Sequence, residues 1–113
     1  MQYMLLIYEP ESAYEGEAGA RLLSDVVAKH MALATELRAS GVQKDGAGLQ
    51  GVAAARTVSS RGAVHDGPFA ETREQLGGYY VVEAGDMDEA LAIARRIPVA
   101  DGGKVEVRPL MAH

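Results

Sequence analysis

The sequence lacks cysteine and tryptophan and contains no long hydrophobic run. Without cysteine, the chain cannot form disulfide bonds, thiolate nucleophiles or zinc sites built from thiolates. The N-terminal segment has no basic region, and its apolar run at residues 3–8 is too short for the core of a signal peptide. No segment approaches the roughly 20 apolar residues that a membrane span requires. We therefore expect a cytoplasmic protein with no membrane partner.

Positive charge is also scarce. Eleven Lys and Arg residues face 16 Asp and Glu residues, for a formal net charge of −5. The basic residues are scattered, and Arg95-Arg96 is their only adjacent pair. Nucleic-acid-binding proteins usually present a basic stripe, often with aromatic side chains for stacking. We therefore expect no nucleic-acid partner.

The size and composition of the chain are those of an ordinary globular protein. It has 113 residues, of which 48% are hydrophobic and 24% are charged. A chain of this length buries roughly 65% of its unfolded surface, so it can form a core without disulfides or metals. We expect one domain over residues 1–113.

Alternating apolar residues predict several strands. Residues 3–8 and 79–83 are apolar on both faces, which indicates strands that are buried on both sides. Residues 104–108 alternate polar and apolar side chains, which indicates a half-exposed last strand. Residues 52–59 and 63–66 predict a hairpin.

Periodicity of about 3.6 residues predicts two helices, at residues 18–40 and from Asp86 to Pro98. Residues 69–76, between a Gly-Pro break and Gly77-Gly78, are compatible with a turn of helix. Gly41 stands where a left-handed C-terminal cap is expected. Asp86 is a favourable N-cap, and Glu89 three residues later completes a pair resembling a capping box. Pro98 cannot continue the second helix, so the helix must end before it.

The order of elements is βαββαβ, the ferredoxin-like pattern of the α+β class, with an antiparallel sheet and both helices on one face. Two helices cover only one side of a sheet whose central strands are apolar on both sides. The other side would leave a large exposed apolar patch. A second copy packed sheet to sheet is the simplest cover, so we expect a homodimer with a dimeric α+β barrel-type assembly.

Residues 44–51 are predicted to form a flexible loop that contains a G-x-G-x-x-G pattern between Gly46 and Gly51. The acid Asp66 follows Gly46 by twenty residues, as in a dinucleotide-binding motif. That motif needs a strand before it and a helix after it, whereas here a helix precedes and a strand follows. We therefore expect no cofactor.

The first helix carries an apolar stripe made of Leu23, Val26, Val27, His30, Leu33, Ala34 and Leu37. A histidine in this stripe is carried toward the sheet, where its ring nitrogens need partners. One interpretation is a core histidine bonded to a carbonyl or a carboxylate. The other is a general acid/base or ligand-binding histidine at the end of a cleft, because the pKa of imidazole lies near neutrality.

Asp66 is the predicted partner of His30. Its functional role would be to hold the tautomer of His30 or to share a proton with it. Its structural role would be local, because Asp before Gly-Pro often forms an Asx turn or caps a short helix. The candidate catalytic residues are therefore His30 and Asp66, and both alternatives remain open for each.

Other carboxylates and histidines favour structural interpretations. A metal site built from His30, His65, Asp66 and Glu71 is disfavoured, because neighbours on a strand point to opposite faces. The acidic residues between Glu9 and Glu17 are expected to form a solvated loop, with an acidic rim for cationic ligands as the alternative.

Four segments resemble the DGPF family of the YCII-related superfamily. They are DGPFAETREQLGGYY at residues 66–80, YMLLIY at 3–8, DEA at 88–90 and VEVRPL at 105–110. The resemblance spans nearly the whole chain and implies a dimeric ferredoxin-like fold. It also implies a site formed by a histidine of the first helix and an aspartate near the central loop, which match His30 and Asp66 here.

The family that the chain resembles has no settled activity. Some relatives are encoded beside extracytoplasmic-function sigma factors, and one relative of the wider fold acts on chlorinated muconolactones. We therefore expect a small-molecule-binding dimer with a His30–Asp66 pair, or alternatively a non-enzymatic regulatory or interaction protein such as a sigma-factor partner. The predicted hairpin from Thr57 to Asp66 is short for the family, and His65 and Arg73 also depart from its pattern. The short hairpin is the departure that could move the site.

Overall fold

A computed structural model describes residues 1–69 and 73–112 of the chain. In chain order its elements are β1 (Gln2–Pro10), α1 (Gly16–Ala39), β2 (Gln43–Gly48), β3 (Arg56–Val58), β4 (Val64–Asp66), β5 (Glu74–Glu83), α2 (Met87–Ala94) and β6 (Lys104–Pro109), with short 3-10 helices at Glu11–Tyr14 and Val52–Ala54. No helix within the described ranges is long and apolar enough to cross a membrane.

The main sheet has four strands in the order β2-β5-β1-β6, and every neighbouring pair is antiparallel. This is the ferredoxin-like arrangement, so the predicted α+β fold class is confirmed. The two strands that are apolar on both faces, β1 and β5, occupy the centre as expected.

The core lies between one face of the sheet and the two helices. Alternate residues of β1 and β5 point toward the helices, and Leu5 and Val82 are fully buried. The remaining buried members of this cluster are Tyr3, Ile7, Leu33, Leu37, Tyr80, Ala84, Ala90, Ala94 and Ile97. Because these residues come from both helices and both central strands, one core fixes the position of α1 over the sheet.

The predicted helix caps are present. Gly41 adopts a left-handed conformation with φ +77°, and its N–H donates to the carbonyl of Arg38 at 3.0 Å. The Oδ1 of Asp86 accepts a hydrogen bond from the N–H of Glu89 at 2.9 Å. The carboxylate of Glu89 in turn accepts from the N–H of Gly85 at 2.7 Å. The boundaries of the helices are therefore determined locally.

The opposite face of the sheet, called here the open face, carries Met4, Leu6, Tyr8, Tyr79 and Val81. The three β1 residues and Tyr79 are half-buried, and Val81 is buried. Neither α1 nor α2 packs on this face, because the helices share their buried cluster with the alternate residues of β1 and β5. The open face therefore presents a band of apolar and aromatic side chains.

The middle of the chain differs from the prediction. Residues 44–51 were expected to be a loop, but Gln43–Gly48 is an edge strand that pairs with β5. The expected hairpin at 52–59 and 63–66 shortens to β3 and β4, which form a separate two-stranded sheet. The loop was expected because a glycine-rich segment has low strand propensity. The segment is nevertheless a strand, because the edge of β5 supplies backbone hydrogen bonds to it.

The helical turn predicted within residues 69–76 is wrong at its C-terminal end. Residues 74–76 form the first residues of strand β5, where they pair with Tyr8, Glu9 and Pro10. A register shift between Ile7 and Tyr8 leaves Gly77 as the extra residue of a bulge in β5. Residues 70–72, the other part of that prediction, lie outside the described residues.

Candidate functional site

A cleft of about 410 Å³ separates α1 from the β2 edge of the sheet. Its lining includes apolar residues of α1, glycines of β2 and β5, and a small set of polar side chains. The polar and aromatic residues that line it are Glu9, Tyr14, His30, Thr35, Arg38, Gln43, Tyr79 and Tyr80. Mostly apolar clefts with a few convergent polar groups are the usual form of small-molecule sites.

Glycines form the floor of this cleft. Gly46 and Gly48 of β2 lie opposite Tyr80 and Gly78 of β5. A Cβ atom on Gly46 would lie 2.9 Å from the carbonyl oxygen of Tyr79, and one on Gly78 would lie 2.9 Å from that of Ala47. The absence of side chains at these positions therefore both permits the close strand pairing and leaves the space beneath α1 open.

The burial predicted for the apolar stripe of α1 is only partly correct where this helix forms the wall of the cleft. Leu23 and Val27 were expected to belong to the buried stripe of α1, but both are exposed and line the cleft with Met31. Val26, Leu33 and Leu37 are buried as expected. The stripe therefore divides into Leu33 and Leu37, which belong to the core, and residues that line the cleft, including the buried Val26.

His30 lies inside the cleft and meets the sheet through Tyr80. Its Nδ1 is 2.7 Å from the hydroxyl oxygen of Tyr80, and the two ring centroids are 5.8 Å apart. The stripe of α1 turns His30 inward, and strand alternation in β5 turns Tyr80 toward the helix. The structure therefore gives His30 a tyrosine partner that the sequence did not suggest, beside the Pro98 carbonyl, which is the kind of partner expected for a core histidine.

Burial shifts the pKa values of both His30 and Tyr80. Desolvation lowers the pKa of His30 below its usual value, although the charge of Glu9 and the Pro98 carbonyl act in the opposite direction. Desolvation also raises the pKa of Tyr80. At neutral pH the imidazole is therefore mainly neutral, and the phenol keeps its proton.

Glu9 forms a second polar cluster in the cleft. The hydroxyl of Tyr14 donates to its Oε2, and the N–H of Ala100 donates to the same oxygen at 2.7 Å. Burial, followed by the hydrogen bond and the charge of Glu9, raises the pKa of Tyr14. The expectation that Glu9 belongs to a solvated loop is wrong, because it is the half-buried end of β1. Glu15 and Glu17 are exposed as expected.

A buried acceptor lies at another part of the cleft lining. Gln43 is more than nine-tenths buried, and its Nε2 donates to the Asp45 carbonyl at 3.3 Å. Its Oε1 has no hydrogen-bond partner among the residues that the structure describes. Buried polar atoms in native proteins usually have partners, so this oxygen is an unmet acceptor.

Asp66 lies outside the cleft, on β4 of the small hairpin. Its side chain is 90% exposed, and its Oδ1 lies 3.1 Å from the Nε of Arg56. Asp66 is not among the residues that line the cleft with His30. Its predicted pairing with His30 therefore stays a prediction.

No group of three or more His, Cys, Asp or Glu side chains in residues 1–69 and 73–112 is arranged to hold a metal ion. His65, one of the residues considered for a metal, pairs across the hairpin with Thr57 and is exposed. Glu71, another of them, lies outside the described residues.

Comparison with known proteins shows a match over nearly the whole chain. Residues 1–112 match the model of the YCII-related domain. The chain is also 36% identical over 121 aligned residues to Uncharacterized protein R00369 of Rhizobium meliloti (strain 1021). The alignment covers 100% of this chain and 94% of that relative.

Proposed function

The chain belongs to the YCII-related family, and we propose that it binds a small molecule in the cleft under α1, where His30 exchanges a proton with the ligand. The observation that carries the proposal is the pair formed by His30 and Tyr80 at the wall of a glycine-floored, largely apolar cleft. The unmet Oε1 of Gln43 supports a ligand with a hydrogen-bond donor, because such a ligand would supply the missing partner.

The tautomer of His30 suits a base that acts through Tyr80. A carbonyl only accepts, so the ring nitrogen that faces Pro98 carries the hydrogen of the neutral imidazole. The nitrogen that contacts Tyr80 is Nδ1, so in this tautomer Nδ1 carries no hydrogen. It therefore accepts a hydrogen bond from the phenol. A ligand proton moves to the oxygen of Tyr80 while the phenolic proton moves to Nδ1, and the reverse transfer restores the starting state.

Asp66 enters this proposal as a residue that would orient His30 or share its proton. In the described chain its carboxylate pairs with Arg56 on the hairpin. The role therefore requires the hairpin to approach a cleft, either in the same chain or in a second copy. Loss of ligand binding in Asp66→Asn, with retention in the exposed control Asp101→Asn, would support it.

We also propose that a second copy covers the open face. The support is the band of Met4, Leu6, Tyr8, Tyr79 and Val81, which no helix of the described residues covers. Multi-angle light scattering at micromolar concentration should give twice the chain mass. A monomer mass would overturn this part of the proposal.

Ligand binding is tested by ligand-observed NMR with a library of neutral, anionic and cationic fragments. Fragments that bind the wild-type protein should no longer bind His30→Ala. They should still bind His65→Ala, which removes an exposed histidine outside the cleft. Gly48→Leu should also abolish binding, because a Cβ at Gly48 meets no atom within 4 Å and the side chain would occupy the cleft. Binding that survives both His30→Ala and Gly48→Leu would contradict the proposal.

A second candidate function is that of a regulatory or interaction protein without enzymatic activity. The observation that favours it is the hairpin, where Val58 and Val64 face each other across the strands and are each 64% exposed. An extracytoplasmic-function sigma factor is one such partner, suggested by the family resemblance. A specific partner captured by wild type and His30→Ala, but lost in Val58→Asp, would favour this function over ligand binding.

A further inference from the structure

We propose that Glu9 is the charged partner of His30 in the cleft, the role for which the sequence favoured Asp66. The inference rests on the proposed function, because it names the carboxylate that serves the same site. It is supported by the strand position of Glu9, by the two donors that hold it, and by the identity of the other groups around His30.

The position of Glu9 follows from the alternation of β1. Tyr3, Leu5 and Ile7 point toward the helices and are buried, and Glu9 is the next residue on that face. The core ends there, and the cleft begins. The carboxylate therefore borders the same space as the imidazole, although the two residues are far apart in sequence.

Two hydrogen bonds fix the orientation of Glu9. Both the N–H of Ala100 and the hydroxyl of Tyr14 donate to Oε2. Oε1 lies near Gly77, where an added Cβ would be 3.7 Å away. Because charge-assisted hydrogen bonds are stronger than neutral ones, these donors hold the carboxylate in a fixed place.

The other groups that face His30 do not supply a negative charge. The titratable and charged residues that line the cleft with it are Glu9 of β1, Tyr14 of the following 3-10 helix, Arg38 of α1, and Tyr79 and Tyr80 of β5. Burial raises the pKa values of Tyr14 and Tyr80, so both phenols keep their protons at neutral pH. The side chain of Tyr79 belongs to the open face, and Arg38 carries the opposite charge. Glu9 is thus the anionic group of the described cleft lining, and its charge favours the protonated imidazole.

This arrangement has a consequence for the ligand. When His30 takes a proton in a partly desolvated cleft, the carboxylate of Glu9 compensates the new positive charge. The same carboxylate accepts hydrogen bonds but cannot donate them, so it disfavours an anionic ligand group at that end of the cleft. A hydroxyl or amino group fits there.

The test is an NMR titration of His30 in the ligand-free protein, followed through the Cε1–H resonance. Glu9→Gln preserves the shape of the side chain and removes its charge. We expect the pKa of His30 to fall in this variant by more than the error of the fit. Glu15→Gln, which removes an exposed carboxylate a few residues away, should leave the pKa of His30 unchanged.

An unchanged pKa of His30 in Glu9→Gln, or an equal fall in Glu15→Gln, would overturn the inference. A fall in Asp66→Asn without one in Glu9→Gln would restore Asp66 as the partner. If Glu9→Gln does not fold, the titration of the wild-type protein tests the inference instead. Protonation of Glu9 at acidic pH should produce a second, smaller inflection in the chemical shift of His30. The same inflection should be present in Asp66→Asn. Its absence would refute the coupling. Because no ligand is present, these outcomes are independent of the binding test.

Discussion

Leu5 and Leu6 offer a matched pair of perturbations, because they are identical neighbours on opposite faces of β1. Leu5 is 0% exposed between the sheet and the helices, whereas Leu6 lies half-buried on the open face. Leu5→Ala removes buried methyl groups from a packed core, for which losses of about 3–5 kcal/mol are typical. Leu6→Ala in a monomer loses only part of the burial of a leucine, so we expect about 1 kcal/mol.

Urea unfolding followed by circular dichroism measures both losses, at a low and a high protein concentration. If a second copy covers the open face, the loss for Leu6→Ala should grow with protein concentration, because association stabilises the folded state by mass action. The loss for Leu5→Ala should exceed that for Leu6→Ala at low concentration. Equal losses at low concentration would refute the assignment of the two faces.

Three further substitutions or conditions test local features. Asp86→Ala should reduce the free energy of unfolding by about 1 kcal/mol, because the Glu89 N–H loses its cap, and urea unfolding measures this. Gly41→Ala should reduce it by about 1 kcal/mol, because φ is +77° there; no loss would contradict the cap. Burial lowers the pKa of His30 in the folded state, so the unfolded chain binds more protons below about pH 6.5. The free energy of unfolding should therefore fall as pH drops through 6.5, and His30→Gln should flatten that slope in a pH series of urea titrations.

Much of the fold could be predicted because its signals are local. The two central strands carry apolar residues on both faces, and only strands at the centre of such a sheet can use them. Asp86, Glu89 and Gly41 act on backbone groups within a few residues of themselves, so their effect is visible in the sequence. These signals determine the order of elements and, with it, the ferredoxin-like arrangement.

Strand β2 could not be predicted because its stability does not come from its side chains. A segment containing Asp45, Gly46 and Gly48 has few of the side chains that favour strands. It is a strand because the edge of β5 offers a row of unpaired backbone groups and the glycines allow close approach. Partners of this kind are distant in sequence.

The candidate site was predicted only in part, because some of the contacts that form it are also distant in sequence. The periodicity of α1 placed His30 on the inner face, and the structure bears this out. Glu9 appeared to start an acidic loop because four glutamates fall between residues 9 and 17. One signal could have separated it from the others, since Glu9 continues the alternation of Tyr3, Leu5 and Ile7. One of the two donors that hold it, the N–H of Ala100, carries no sequence signal at all.

The glycine floor has a consequence for how this cleft can change during evolution. Gly46 and Gly78 are constrained by neighbouring backbone oxygens, so larger residues there would disturb the pairing of the strands. Gly48 has free space above it and an ordinary backbone conformation. Substitution at this single position can therefore shorten the cleft in graded steps while the sheet stays intact. Relatives that bind ligands of different size should vary at the position of Gly48 and retain glycine at the other two.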